Sequence, residues 1–390
     1  MTKNKIEIFK VGGCIRDSLM YKIPSDIDYV VVGATSEYMI ENGYKNVGNS
    51  FPVFLDSNGD EYALARTERK NGRGYTGFDV DFSPTITLKD DLERRDLTIN
   101  AMAVNADVNI KSLALYNNKI IDYFGGKKDL KKKVLRHVSD AFKEDPVRVL
   151  RIARFNARFG DEWTVADETY KLLVEMESDG LLDELVAERV WKEMEKALDK
   201  ALNPVKFFEV LNKANCLMTI FPEFSKIDLE KLELSSHNGY INFGMLMSHM
   251  MKQDDSFDVD SFCNRLKVPN EYSKFVMLIY NIETMIETFH NLSPSSIVEK
   301  TYWIVDKLKK MNISHITSFL LLEFAEMPFN IFKMLLISFN EINTITFDSL
   351  PQKFKDNLKG KEIGEKLTEL KKDKIHLIYN DVILNNSQLS

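Results

Sequence analysis

Asp26 and Asp28 stand two residues apart in the stretch Asp26-Ile27-Asp28-Tyr29-Val30-Val31-Val32-Gly33. The β-branched residues Ile27, Val30, Val31 and Val32, bounded by Pro24 and Gly33, predict a short strand. Residues i and i+2 of a strand leave the same face, so the two carboxylates should project side by side. Carboxylates that close repel, and one pKa rises unless a cation lies between them. The fitting ion is Mg²⁺, which prefers oxygen ligands and completes its shell with water and substrate phosphates. With a nucleoside triphosphate present, the matching chemistry is phosphoryl or nucleotidyl transfer. An isolated Asp-x-Asp is more often turn or surface chemistry, so the surrounding residues have to decide.

Upstream, Ile6, Ile8, Phe9 and Val11 predict a strand ending at Gly12-Gly13, with a helix from Ile15 to Met20. Paired glycines let a backbone approach a ligand, and a helix start offers free N–H groups to an anion; this makes Gly13 and Arg16 candidate phosphate contacts. Taken alone, the pair is equally an ordinary tight turn. Downstream, Arg95 in Arg94-Arg95-Asp96 either contacts phosphate or ribose or pairs with a nearby acid. Glu61, in a predicted strand running to Arg66, is a candidate third carboxylate.

Asp145-Pro146 is a helix start, predicting a helix from Pro146 to about Arg158 that stops at Gly160. Arg148, Arg151, Arg154 and Arg158 form a basic stripe on it, and Val147, Leu150, Ala153 and Ala157 an apolar face. The stripe is either a solvated charged face or a ligand surface. An aspartate accepts hydrogen bonds and an arginine donates them, so Asp145 with Arg148 presents an acceptor–donor edge. Cytosine and adenine show the complementary edge, whereas uracil and guanine show the reverse. Lys127, Lys128, Lys131, Lys132, Lys133 and Arg136 make a local basic run, either an RNA-backbone track or a solvated helix face.

The elements that must hold these groups follow from the pattern. Roughly the first 135 residues alternate short strands and helices: 49–55 and 61–66 read as strands, and 90–103 as mostly helical. The glycine-rich basic segment from Lys70 to Gly77 predicts a mobile loop. From Asp140 onward the pattern is helical almost without interruption. The expected fold is α+β: a head with a small mixed sheet over 1–138, a helical neck over 139–224, and a helical body and tail over 225–390. Net charge is −7, so no global field attracts nucleic acid and any RNA contact must be local. Three dispersed cysteines and the absence of a secretory or membrane-spanning apolar run point to the cytoplasm and away from a membrane. No protein partner is implied. A nicotinamide dehydrogenase is disfavoured, because no G-x-G-x-x-G follows a strand.

Together with Glu93-Arg94-Arg95-Asp96-Leu97-Thr98-Ile99-Asn100-Ala101-Met102-Ala103 and Glu144-Asp145-Pro146-Val147-Arg148-Val149-Leu150-Arg151, the opening motif resembles the nucleotidyltransferase superfamily. Within it, the chain is similar to the template-independent class of bacterial CCA-adding enzymes and poly(A) polymerases, most closely over the first 225 or so residues. The resemblance implies tRNA as partner, CTP and ATP as substrates, base selection by Asp145 and Arg148, and nucleotide contacts from Arg95 and Arg151. Poly(A) polymerases of this type carry consecutive basic residues where this chain has Gly48-Asn49-Ser50-Phe51, which favours CCA addition. Enzymes that add only CC lack part of the loop retained here between Arg66 and Arg95, which favours all three additions. The alternatives are polyadenylation and an inactive RNA-binding homologue. Relatives with an appended phosphohydrolase carry a His-Asp doublet. None of the six histidines here precedes an aspartate, and Arg265–Glu271 resembles the region that would follow that site, so the segment within 225–390 is expected to be a shortened, degenerate remnant.

Overall fold

The computed structural model describes residues 5–48, 52–70, 78–111, 119–234, 238–311, 324 and 327–384. The chain divides into two compact units, Met1–Glu230 and Lys231–Ser390.

The first unit opens with β1 (Glu7–Val11), α1 (Gly13–Leu19), β2 (Asp28–Val32), α2 (Ser36–Glu41), β3 (Lys45–Asn46), β4 (Val53–Leu55) and β5 (Glu61–Leu64). It continues with β6 (Thr67–Lys70), β7 (Phe78–Asp81), α3 (Leu88–Glu93) and β8 (Ala103–Asn105). Six of these strands form one sheet in the order β3-β4-β5-β2-β1-β8, in which β2 and β5 are parallel and the other pairs antiparallel. The fold is α+β, with a mixed sheet. Alternation along β2 shows why the sheet is covered on both faces: Val30 joins a core with Phe9, Val11 and Leu92, and the next residue, Val31, joins one with Met39, Phe54 and Leu64.

The unit is completed by helical elements, among them α4 (Gly126–Lys132), α5 (Val147–Phe159), α6 (Asp167–Ser178) and α7 (Ala187–Lys200). The β9 (Val134–Leu135) and β10 (Thr164–Val165) strands pair in parallel, interrupting the helical run expected from Asp140 onward. In α5 the first turn is capped by the Asp145 carboxylate, which accepts from Val147 N at 3.1 Å, and the helix stops at Gly160 with φ 79°. Its basic stripe is not a solvated face. Arg148 and Arg154 are buried at 7% and 8% exposure, so each needs an internal partner.

Two local expectations change. Segment 90–103 is not mostly helical: α3 ends at Glu93, a short 3₁₀ turn spans Thr98–Asn100, and Ala103 already belongs to β8. The cause is Asp96, whose Oδ1 accepts from Leu97 N at 2.8 Å and from Asn100 Nδ2 at 3.0 Å, competing with the helical ladder. The β2 strand begins at Asp28, leaving Asp26 ahead of it, because the antiparallel register ends with Val11 opposite Asp28 and β1 turns away at Gly12. The glycine-rich segment expected to be mobile lies, over 71–77, outside the described residues, as do 49–51.

The second unit is helical throughout its described residues, with long helices Gly239–Gln253, Asn270–Thr288, Pro294–Lys310, Phe329–Asn343 and Lys361–Tyr379. The first two pack closely, because Gly244 has no side chain: a Cβ there would lie 2.6 Å from Ile279 Cγ1. All three cysteines are free and buried, and burial pushes their thiols up, Cys216 to about 12. No helix among the described residues is long and apolar enough to cross a membrane.

Candidate active site

One end of the sheet gathers the acidic residues. Val11 pairs with Asp28 across β1 and β2, so the Gly12-Gly13 turn follows directly beside the first residue of β2. In the parallel pair, Tyr29 is opposite Tyr62, which places Glu61 next to Asp28 one strand away. Asp26 precedes the strand and accepts from the Ser25 hydroxyl at 2.5 Å. The Asp28 carboxyl is raised from its ordinary value, by partial loss of water around it and by Asp26 and Glu61, while Arg95 opposes the shift; because the residue is exposed at the start of β2, the neighbouring acids are the firmer cause. Three acidic groups sharing one field with one arginine are the electrostatic condition in which a divalent cation is favoured. The donor set is oxygen only, which suits a hard ion. Among the described residues no group of three metal-binding side chains is already drawn together, so the residues fit a carboxylate-pair site completed by other oxygens better than a closed protein cage.

Arg95 reaches into the turn. Its Nη2 donates to Asp91 Oδ2 at 3.2 Å, and Asp91, 1% exposed, also accepts from Arg94 Nη2 at 3.1 Å. The buried Nε of Arg95 has no hydrogen-bond partner among the described residues. An orphaned buried donor beside a glycine turn is the place for an acceptor from a ligand. Gly12 is required there, because its φ is +76° and a Cβ would stand 2.9 Å from Arg95 Nη1. Gly12→Ala should therefore cost about 1–3 kcal/mol of stability and displace Arg95. Chemical denaturation with nucleotide KM measurements checks this; unchanged values of both refute it.

Arg16 sits differently from its expected place as an open phosphate grip. It is 4% exposed: Nε donates to Asp17 Oδ1 at 2.8 Å and Nη1 to Asn100 Oδ1 at 2.6 Å, and the guanidinium lies 5.2 Å from the Phe155 ring centre. A cation this buried acts as a fixed charge under Gly13, whose Cβ position is 3.5 Å from Arg16 Nη2. Asn100 then donates to Asp96, and Asp96 accepts from Arg151 Nε at 2.8 Å. A continuous polar chain thus joins the glycine turn to α5.

On α5, Arg148 Nη1 donates to the Ala141 carbonyl at 2.6 Å. Burial pulls the Arg148 guanidinium down from its usual value, with Asp96, Asp145 and Glu144 opposing the shift. Arg151 is committed to Asp96 and is held above its usual range chiefly by that carboxylate. Asp145 is gripped by a residue that the sequence reading missed: Arg189, on the first turn of α7, donates from Nη1 to Oδ1 at 3.0 Å and from Nη2 to Oδ2 at 2.8 Å. One cue was available, since a cation in the first turn of a helix opposes the helix dipole unless it has a partner.

The poly A polymerase head domain matches residues 8–136. A multifunctional CCA protein of Nitrosococcus oceani is 40% identical over 331 residues, 75% of this chain and 78% of that protein. The chain belongs to the CCA protein family. Its counterpart in Haemophilus ducreyi is 49% identical over 240 residues, a match spanning 60% of this chain and 56% of that CCA protein. In fold, the chain is similar to a Thermotoga maritima CCA-adding enzyme solved with tRNA, at a TM-score of 0.60 and 21% identity, over 97% of this chain and 91% of the other.

Within this CCA-family chain the basic run divides. Lys128, Lys131 and Lys132 on α4 are exposed, Lys127 and Lys133 half-buried, and Lys133 is bound to Glu162. Arg136 is turned inward onto Asp129 at 3.0 Å. Three of the lysines are thus presented to solvent.

Proposed function

We propose that this chain adds C, C and A to the 3′ end of tRNA from CTP and ATP, without a template, releasing pyrophosphate at each step. The observation that carries the reading is the continuous polar chain from Arg16, beneath the glycine turn that follows beside Asp28, through Asn100 and Asp96 to Arg151 on α5. It joins the glycine turn at the acidic end of the sheet to the helix that carries Arg148 and follows Asp145, within one unit.

Asp26 and Asp28 hold a divalent cation, Mg²⁺ by its hard oxygen preference, with Glu61 adding negative field. An ion held there would lower the pKa of the attacking hydroxyl, and a second would neutralise the leaving pyrophosphate. Gly13 brings backbone close to the triphosphate, Arg95 donates to it, and buried Arg16 supplies a fixed positive charge beneath the turn. Asp145 accepts from the exocyclic amine of cytosine or adenine, and Arg148 donates to the adjacent ring nitrogen. Arg151 holds α5 in place through Asp96. The second unit serves as RNA support, and its histidines, none of which precedes an aspartate, mark a lost phosphohydrolase. Three unpaired thiols suit a reducing cytoplasm.

The deciding experiment incubates tRNA lacking its 3′ end with Mg²⁺ and CTP, with or without ATP, and sizes the products to one nucleotide. Three additions that then stop support the reading. A long adenylate ladder replaces it with polyadenylation, and no extension leaves an RNA-binding homologue. For the RNA path, replacing Lys128, Lys131 and Lys132 with glutamine should weaken tRNA binding and flatten its dependence on salt. Affinities measured across a salt series check this, and an unaltered slope moves the RNA contact off α4.

A further inference from the structure

We infer that Arg189 is a specificity-determining positioning residue: by clamping both oxygens of Asp145 from a neighbouring helix, it fixes the acceptor that separates cytosine and adenine from uracil and guanine. This rests on the reading of Asp145 and Arg148 as the base-selecting pair.

Asp145 lies just before α5, where a carboxylate would ordinarily turn freely about its side-chain bonds. Here its oxygens are already apportioned. Oδ1 accepts from Arg189 Nη1 and from Val147 N, whereas Oδ2 accepts from Arg189 Nη2 alone among the described residues. Each carboxylate oxygen has two lone-pair sites, so Oδ1 is filled and Oδ2 keeps one position for an incoming N–H. A planar guanidinium bound through two parallel hydrogen bonds sets the plane of the carboxylate as well as its distance, which a lysine cannot do. The clamp stays partly open to a ligand, with side-chain exposures of 33% for Arg189 and 29% for Asp145.

The clamp is also rigidly based. Arg189 is on α7, and farther along the two helices Arg154 Nε donates to Glu193 Oε2 at 2.5 Å, both side chains being buried. The donor of the reading pair is anchored separately, by Arg148 on the Ala141 carbonyl. Acceptor and donor thus have independent supports, and loss of Arg189 frees the acceptor alone. Rejection of a wrong base relies on leaving a polar group unpaired, which works only if that group cannot rotate away.

The test measures single-nucleotide incorporation into tRNA lacking its 3′ end, with each of CTP, ATP, UTP and GTP, for the parent and for Arg189→Ala, Arg189→Lys, Asp145→Ala and Glu193→Gln. Arg189→Ala should reduce the preference for CTP over UTP, as a ratio of kcat/KM, by roughly tenfold or more. Arg189→Lys should fall between it and the parent, and serves as the readout if the alanine variant does not fold. Glu193→Gln, which weakens the same helix contact elsewhere, should lower the melting temperature without moving the ratio. An equal loss for all four nucleotides on changing Arg189, or an unchanged ratio, overturns the inference. If Asp145→Ala loses discrimination while Arg189→Ala keeps it, only Arg189's role falls. If Asp145→Ala also discriminates normally, the base-reading assignment itself is wrong.

Discussion

Asp28→Asn and Asp26→Asn should each lower CMP incorporation from CTP by about three orders of magnitude or more, while leaving the protein folded. Asparagine keeps the shape of the side chain and removes the charge. Nucleotidyl transfer depends on positioning and charge stabilisation, so losing half of a carboxylate pair removes the means of holding the ion. Asp28 carries a second, opposite consequence. Its raised pKa means that the folded protein binds that proton more tightly than the unfolded chain does, so ionised Asp28 costs stability as pH rises through its carboxylate range and remains costly at neutral pH. Asp28 is exposed at the start of β2, so water screens most of that cost, and in chelator Asp28→Asn should melt only slightly above the parent. Adding a divalent cation should raise the melting temperature of the parent far more than that of the variant. Near-parental incorporation by either variant would remove the carboxylate pair from the mechanism.

The two outcomes also show what was legible in the chain. Val30, Val31 and Val32 announce a strand because β-branched side chains suit a pleated surface, and Pro146 with Gly160 announces the limits of α5 because each has a backbone restriction of its own. The neighbourhood of Asp28 was only half visible. Asp26 is close in sequence, but it lies ahead of β2 because strand pairing stops at Asp28, a boundary set by pairing and not by the residues themselves. Glu61 comes beside Asp28 through a parallel register between β2 and β5, which local periodicity does not encode. Arg189 is farther out of reach: its bond to Asp145 spans 44 positions and depends on how α5 and α7 pack. The arginines of α5 look alike as a helical stripe, yet Arg148 and Arg154 are buried and Arg151 is bound to Asp96, because their partners come from other elements.

Asp96→Ala should be the most destabilising single substitution in this network, by about 3–5 kcal/mol, because it leaves buried cationic and polar groups without their acceptor. Asp96 is 7% exposed and accepts from Leu97 N, Asn100 Nδ2 and both Nε and Nη2 of Arg151, the last at 2.6 Å. Burial pushes its carboxyl up, but the Arg151 guanidinium and the Asn100 hydrogen bond outweigh that and hold it well below the usual carboxylate range. For a carboxyl depressed in this way, the stabilisation is fully present above its unfolded pKa of about 3.9 and disappears as pH falls through the folded value. The gap in unfolding free energy between parent and variant should therefore be widest near neutral pH and narrow progressively below about pH 4. Denaturant titrations at a series of pH values measure it. Because the same carboxylate ties Arg151 on α5 to Asn100 and, through it, to Arg16 beneath the glycine turn, incorporation should fall even at temperatures where the variant remains folded. A loss below about 1 kcal/mol, the scale of an exposed pair, would mean that Asp96 is not the joint between the acidic end of the sheet and the base-selecting helix.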